Sequence, residues 1–149
     1  MSQAYQHILV AIDESPMAYA AVEHAVQLAQ AFAAKITLMS VIAVDPFVGV
    51  DFYKVAPAIT DYFMQAERHA QDRLNEIQAN LSRDGLTANI KVIHGMTPSQ
   101  GILHIADEVH ADVIVMGSHG RTGLQKLMLG SVAQNVLTQS TLPVLIVKA

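Results

Sequence analysis

Apolar residues gather in five short blocks, and the stretches between them repeat at helical spacing. Ile8-Leu9-Val10-Ala11-Ile12 is the first block, unbroken enough for a strand buried on both faces. Asp13-Glu14-Ser15-Pro16 closes it, with Ser15 suited to cap a helix and Pro16 to fill its first position, where proline's missing N–H costs nothing. Ala18, Val22, Ala25, Val26, Ala29 and Ala33 then mark one face of that helix, with side chains small enough to lie close on a sheet.

The alternation continues to the end. Ile36-Thr37-Leu38-Met39-Ser40-Val41-Ile42 predicts a second strand, and Ile59, Phe63, Ala66, Ala70, Leu74, Ile77 and Leu81 predict a helix ending before Gly85. Ala88-Asn89-Ile90-Lys91-Val92-Ile93-His94 is a third strand whose polar alternation places it at or near a sheet edge. Thr97-Pro98-Ser99-Gln100 has the form of a capping box, and Ile102, Ile105, Ala106 and Val109 follow it at helical spacing. Val113-Ile114-Val115-Met116 is a fourth strand; Val132, Ala133, Val136 and Leu137 mark a last helix, and Val144-Leu145-Ile146-Val147 follows Pro143 as a fifth strand.

Five short apolar strands separated by helices predict an α/β fold with a parallel sheet covered on both faces. With 149 residues, and no internal repeat, low-complexity tract or linker, residues 1–149 are expected to form a single domain. Two connections, 43–57 and 118–129, are long for a compact domain and are candidates for ligand or partner contact.

Composition narrows the function. The chain is 52% hydrophobic and 15% charged, with a formal net charge of −4, so neither disorder nor a global attraction to nucleic acid or an anionic membrane is expected. Arg121 and Lys126 in the glycine segment are the candidates for a local basic patch. The absence of cysteine excludes a disulfide scaffold, thiol catalysis and cysteine-ligated metal sites. The opening Met1-Ser2-Gln3-Ala4-Tyr5-Gln6-His7 lacks the pattern of an export signal, and apolar runs are too short for a membrane span, so a cytoplasmic protein is expected.

The chemistry is concentrated in Gly117-Ser118-His119-Gly120 and, nine residues further on, Gly130-Ser131. Glycines at a strand end and a Gly-Ser pair at a helix start form a phosphate-cradling arrangement. Glycine permits positive φ and close approach of a ligand, while the helix N-terminus offers free N–H groups to an anion. The same residues also suit an ordinary turn and cap. Ligands of open parallel sheets sit beyond the carboxyl ends of the strands, where strand order reverses. In the order 3-2-1-4-5, Asp13 and Gly117 face one crevice, and the Asp13 carboxylate would accept from ribose hydroxyls or an adenine amino group. Its other role would be to stabilise the first turn of the helix that follows.

Taken together, these residues resemble the universal stress protein family, on the adenine-nucleotide alpha-hydrolase-like fold, from about Ile8 to Lys148. Gly117-x2-Gly120-x9-Gly130-Ser131 fits the family's nucleotide signature, flanked by Asp112-Val113-Ile114-Val115-Met116 and Pro143-Val144-Leu145-Ile146-Val147. The retained glycines resemble the ATP-binding branch. The resemblance implies that Asp13 and the backbone near Val41 contact adenosine, and that Gly117, Gly120, Gly130, Ser131 and Val132 line the phosphates. It also implies that Ala11 and Met116 shape the pocket, that Mg2+ or Mn2+ bridges phosphate oxygens, and that a homodimer pairs through Val144 to Val147.

Other chemistries find little support. There is no P-loop, no Gly-x-Gly-x-x-Gly after the first strand and no His-Glu-x-x-His, against a P-loop NTPase, a dinucleotide dehydrogenase and a zinc protease. A triad of Ser118, His119 and Asp13 lacks a nucleophile elbow. Of the seven histidines, His94 and His119 fall near carboxyl strand ends. The expected function is ATP binding as a signal or conformational ligand in a stress response. A slow ATPase or nucleotide-dependent transferase using the same pocket, and a nucleotide-independent interaction module, stand beside it.

Overall fold

The computed structural model describes residues 5–42, 52–118 and 129–148, without the side chains of 52–60. Among the described residues five strands alternate with four helices: β1 (His7–Ala11), α1 (Met17–Phe32), β2 (Lys35–Ile42), α2 (Phe52–Arg83), β3 (Ala88–His94), α3 (Pro98–Glu108), β4 (Val113–Gly117), α4 (Ser131–Gln139) and β5 (Val144–Val147). All strand pairs are parallel, in the order β3-β2-β1-β4-β5. The predicted order and the edge position of the polar third strand are both observed.

Strand periodicity explains the two cores. Successive side chains of a strand point to opposite faces. Ile8, Val10, Leu38, Val113 and Val115 thus pack with the α1 alanines and with Leu74, Ile77 and Leu81 of α2. Leu9, Met39, Ile114 and Met116 pack on the other face with Ile102 and Ile105 of α3 and with Ala133 and Val136 of α4. The central strands β1 and β4 are apolar from Ile8 to Ala11 and from Val113 to Met116 because both faces are covered there.

Local chemistry sets the element ends. The Thr97 capping box is formed at α3, with Gln100 N–H donating to Thr97 Oγ1 and Thr97 N–H to Gln100 Oε1. Gly85 terminates α2 with φ +81°, a left-handed conformation that glycine adopts without strain. At the amino end of the sheet, Asp112 Oδ2 accepts from the N–H groups of Gln6 and His7 at 2.7 and 2.8 Å, tying β1 to the start of β4.

One expected cap is absent. Ser15 does not cap α1: both its N–H and its hydroxyl donate to Asp13 Oδ1, at 2.8 and 2.6 Å, and the helix starts at Met17. A carboxylate two residues earlier is a stronger acceptor than the hydroxyl itself, so Ser15 acts as donor to an Asx turn.

Candidate functional site

The carboxyl ends of β1, β2 and β4 open into a cleft of about 520 Å³, at the reversal of strand order between β1 and β4. Ala11 and Asp13 come from β1 and the turn after it, Val41 from β2, Met116 and Gly117 from β4, and Gly130, Ser131 and Val132 from the start of α4. The fold brings all of these sequence-selected residues to one cavity. Gly120, also selected, lies outside the described residues, as do His119, Arg121 and Lys126.

Hydrogen bonds brace the floor of this cleft. Ile12 N–H donates to the Met39 carbonyl at 2.8 Å, and the buried Ser40 hydroxyl donates back to the Ile12 carbonyl at 2.8 Å. The ends of β1 and β2 are therefore held in fixed register just below Asp13. The Asp13 side chain is exposed to the cleft, with Oδ1 held by Ser15. That grip orients the carboxylate before any ligand arrives.

The other end is built from backbone. The Gly130 N–H donates to the Ser118 carbonyl at 2.7 Å and the Ser118 N–H to the Val147 carbonyl at 2.9 Å, so the chain leaving β4 and the chain entering α4 meet. Gly130 has φ −64° and ψ 161° and supplies no side-chain cap. Positive φ is thus not what position 130 requires of glycine; the remaining consequence is a helix N-terminus with no side chain in front of its amides. The first turn of an α-helix leaves N–H groups without internal partners, and here they face the cleft. Beside them Ser118 is 2% exposed, and among the described residues its Oγ has no hydrogen-bond partner. A buried hydroxyl without a partner is costly, and Ser118 is one of the residues that line the cleft.

Some wall residues escape the sequence analysis. Phe63, Ala66, Ala70 and Arg73 of α2 close the side opposite α4. The signal lies in the helical face itself, which changes from Leu74, Ile77 and Leu81, all buried, to Ala70 and Ala66, leaving room where larger side chains would fill it. Gly101 is a second case: it lets α3 press against Val41 and Ile93. His94 does not reach the cleft and instead lies 3.3 Å from Glu67 at the surface. Among the described residues no group of three or more His, Asp or Glu could hold a metal ion, and no helix is long and apolar enough to cross a membrane.

Comparison with known proteins places this arrangement. The family model described as the universal stress protein family matches residues 4–148. Universal stress protein MJ0531 of Methanocaldococcus jannaschii is 31% identical over 144 residues, covering 97% of this chain and 82% of that protein. The solved structure of MJ0577, from the same organism, superposes with a TM-score of 0.85 at 30% identity, covering 99% of this chain and 98% of that one. A universal stress protein solved in complex with cAMP superposes with a TM-score of 0.61 at 30% identity, covering 98% of each chain.

Proposed function

The chain belongs to the universal stress protein family, and on that premise we propose that it binds ATP in the cleft between β1, β4 and α4. The observation that carries this reading is the α4 N-terminus, without a side-chain cap among the described residues, beside Ser118, whose buried hydroxyl has no partner among them, at a cavity of about 520 Å³, within the range of small-ligand sites. Phosphates would meet the amides of Ser131 and Val132, left uncovered by Gly130, whose own N–H is held by the Ser118 carbonyl, while Asp13 and the Val41 backbone would take adenosine and Ala11 and Met116 would shape the base pocket. Gly117 leaves the strand end open to phosphate, and Gly120 would act beside it. The complex of a relative with cAMP supports an adenine ligand.

The fit to phosphate is chemical as well as spatial. Amides at a helix N-terminus and a hydroxyl are donors, as phosphate oxygens require. A divalent ion, Mg2+ or Mn2+, would be carried by the phosphates and would neutralise part of their charge. Asp13 is bound to Ser15 through one oxygen and serves as an orienting acceptor, so nucleotide acts as a signal or conformational ligand of a cytoplasmic stress protein. We place the homodimer contact at β5, where Leu145 stands exposed on the sheet edge.

Purified protein denatured and analysed for released nucleotide, followed by calorimetric titration with ATP, ADP and AMP, tests the reading. Bound or titratable adenine nucleotide is expected. Absence of both would favour an interaction module in which the glycines serve only as turns. Steady turnover of ATP to ADP, lost on mutation of the cleft, would make the protein an enzyme.

A further inference from the structure

We propose that the cleft takes a nucleotide anionic at both ends, with its 5′-phosphates at α4 and a second phosphate, borne on the ribose, at Arg73. The proposal rests on the adenine-nucleotide reading above and adds the class of ligand.

Three charged side chains line the cleft among the described residues: Asp13, Glu14 and Arg73, of which only Arg73 is a cation. It is half-buried, on the same face of α2 as Ala66 and Ala70, whose small side chains leave the space in front of it. Among the described residues its guanidinium makes no hydrogen bond or ion pair. Other surface cations do find carboxylates, as Lys91 does with Glu108 at 2.9 Å. A partly buried guanidinium that faces a cavity without an acceptor lacks the pairing that buried charge calls for, and its planar fork matches phosphate in bidentate fashion.

Position separates Arg73 from the 5′-phosphate site. α4 packs with α3 on one face of the sheet, and α2 packs with α1 on the other. Two strand spacings, roughly 10 Å, lie between the ends of β4 and β2. A phosphate on the α4 amides and an anion at Arg73 therefore stand on opposite sides of the cleft. A phosphate on the ribose 2′ or 3′ oxygen is the second anion a nucleotide can present across such a distance. Asp13 lies between the two ends and repels such a phosphate, so among the described residues its acceptance depends on Arg73.

Calorimetric titration of the full chain with AMP, adenosine 2′,5′-bisphosphate and adenosine 3′,5′-bisphosphate tests this, for the wild type, Arg73→Gln and Arg73→Lys. One bisphosphate should bind the wild type at least tenfold tighter than AMP. In Arg73→Gln the ratio of bisphosphate to AMP affinity should fall to one or below, because the Asp13 carboxylate then faces the ribose phosphate without that guanidinium. Arg73→Lys, a point charge without the fork, should keep part of the preference. A wild type that binds both bisphosphates no better than AMP, or a preference that survives Arg73→Gln, overturns the proposal. Failure of the wild type to bind AMP and ATP at all would remove the nucleotide reading itself, and this proposal with it.

Discussion

A Cβ on residue 101 would stand 2.6 Å from Val41 Cγ2 and 3.0 Å from Val41 Cγ1, so α3 lies against the end of β2 only because Gly101 has no side chain. Val41 lines the cleft, and its β-branched side chain has little rotamer freedom to yield. In Gly101→Ala the gain in helix propensity of about 1 kcal/mol opposes an overpacking cost of about 1–3 kcal/mol. Two methyl contacts this short make overpacking the larger effect. The variant should melt a few degrees lower and bind nucleotide more weakly, and adding Val41→Ala should restore the melting temperature. Thermal unfolding of the three proteins decides it; a single variant as stable as wild type would mean that α3 shifts without cost.

Gly130 stands in ordinary extended backbone at φ −64°, which valine also adopts, so Gly130→Val should fold. What valine adds is a branched side chain in front of the α4 amides. ATP affinity should fall at least tenfold, about 1.4 kcal/mol. Unchanged calorimetric binding in the folded variant would remove the phosphate assignment at α4.

The sheet was legible in the sequence because its central strands are buried on both faces and so read as unbroken apolar runs, from Ile8 to Ala11 and from Val113 to Met116. The glycine–serine spacing located the meeting of Ser118 and Gly130, since a strand end and a helix start in adjacent positions need that chemistry. The α2 wall was not legible. Ala66, Ala70 and Arg73 sit on a helical face whose periodicity is the same whether it fills a core or borders a cavity. Ser15 misled for a different reason: a hydroxyl before Pro16 resembles a cap, but the Asp13 carboxylate, two residues earlier, holds it as a donor in an Asx turn, and it accepts from no first-turn amide of α1.

Asp13 should orient the ligand without taking part in phosphate chemistry. Asp13→Ala removes the acceptor from the adenosine end, distant from the α4 amides, and should weaken ATP, ADP and adenosine by similar factors. Ser15→Ala keeps the carboxylate but releases Oδ1 from the hydroxyl, and a smaller loss is expected. An Asp13→Ala protein with intact nucleotide binding and abolished turnover would instead identify a catalytic carboxylate.

His7 makes stability depend on pH. Burial, with a smaller effect of Lys35, holds its pKa below the usual 6.5 despite a hydrogen bond to the Val109 carbonyl and the nearby Asp112; Nε2 lies 2.6 Å from the Thr37 hydroxyl. The folded state therefore favours neutral imidazole, and the unfolded chain binds more protons between the lowered value and 6.5. Stability is full above that window and falls as pH drops through it. Denaturant unfolding between pH 5 and 8, comparing wild type with His7→Gln, should show a shallower pH dependence in the variant. Parallel curves would assign the acid sensitivity to other groups.

The β5 edge supplies the last test. Within Val144 to Val147, Val147 is 4% exposed and packs with the α1 side of the core, so a charge there would unfold the chain rather than separate subunits. Leu145 is 37% exposed, and Leu137 on the neighbouring α4 is 41% exposed. An apolar side chain on an unpaired strand edge invites association, and a two-fold contact closes at two subunits. Leu145→Lys places like charges across that axis while leaving the monomer core intact, since the lysine stem and head can remain in water. Sedimentation at micromolar concentration should give a dimer mass for wild type and a monomer mass for Leu145→Lys, with equal melting of the isolated fold. A wild type that sediments cleanly as monomer would remove the dimer and leave Leu145 as an ordinary exposed residue of a short edge strand.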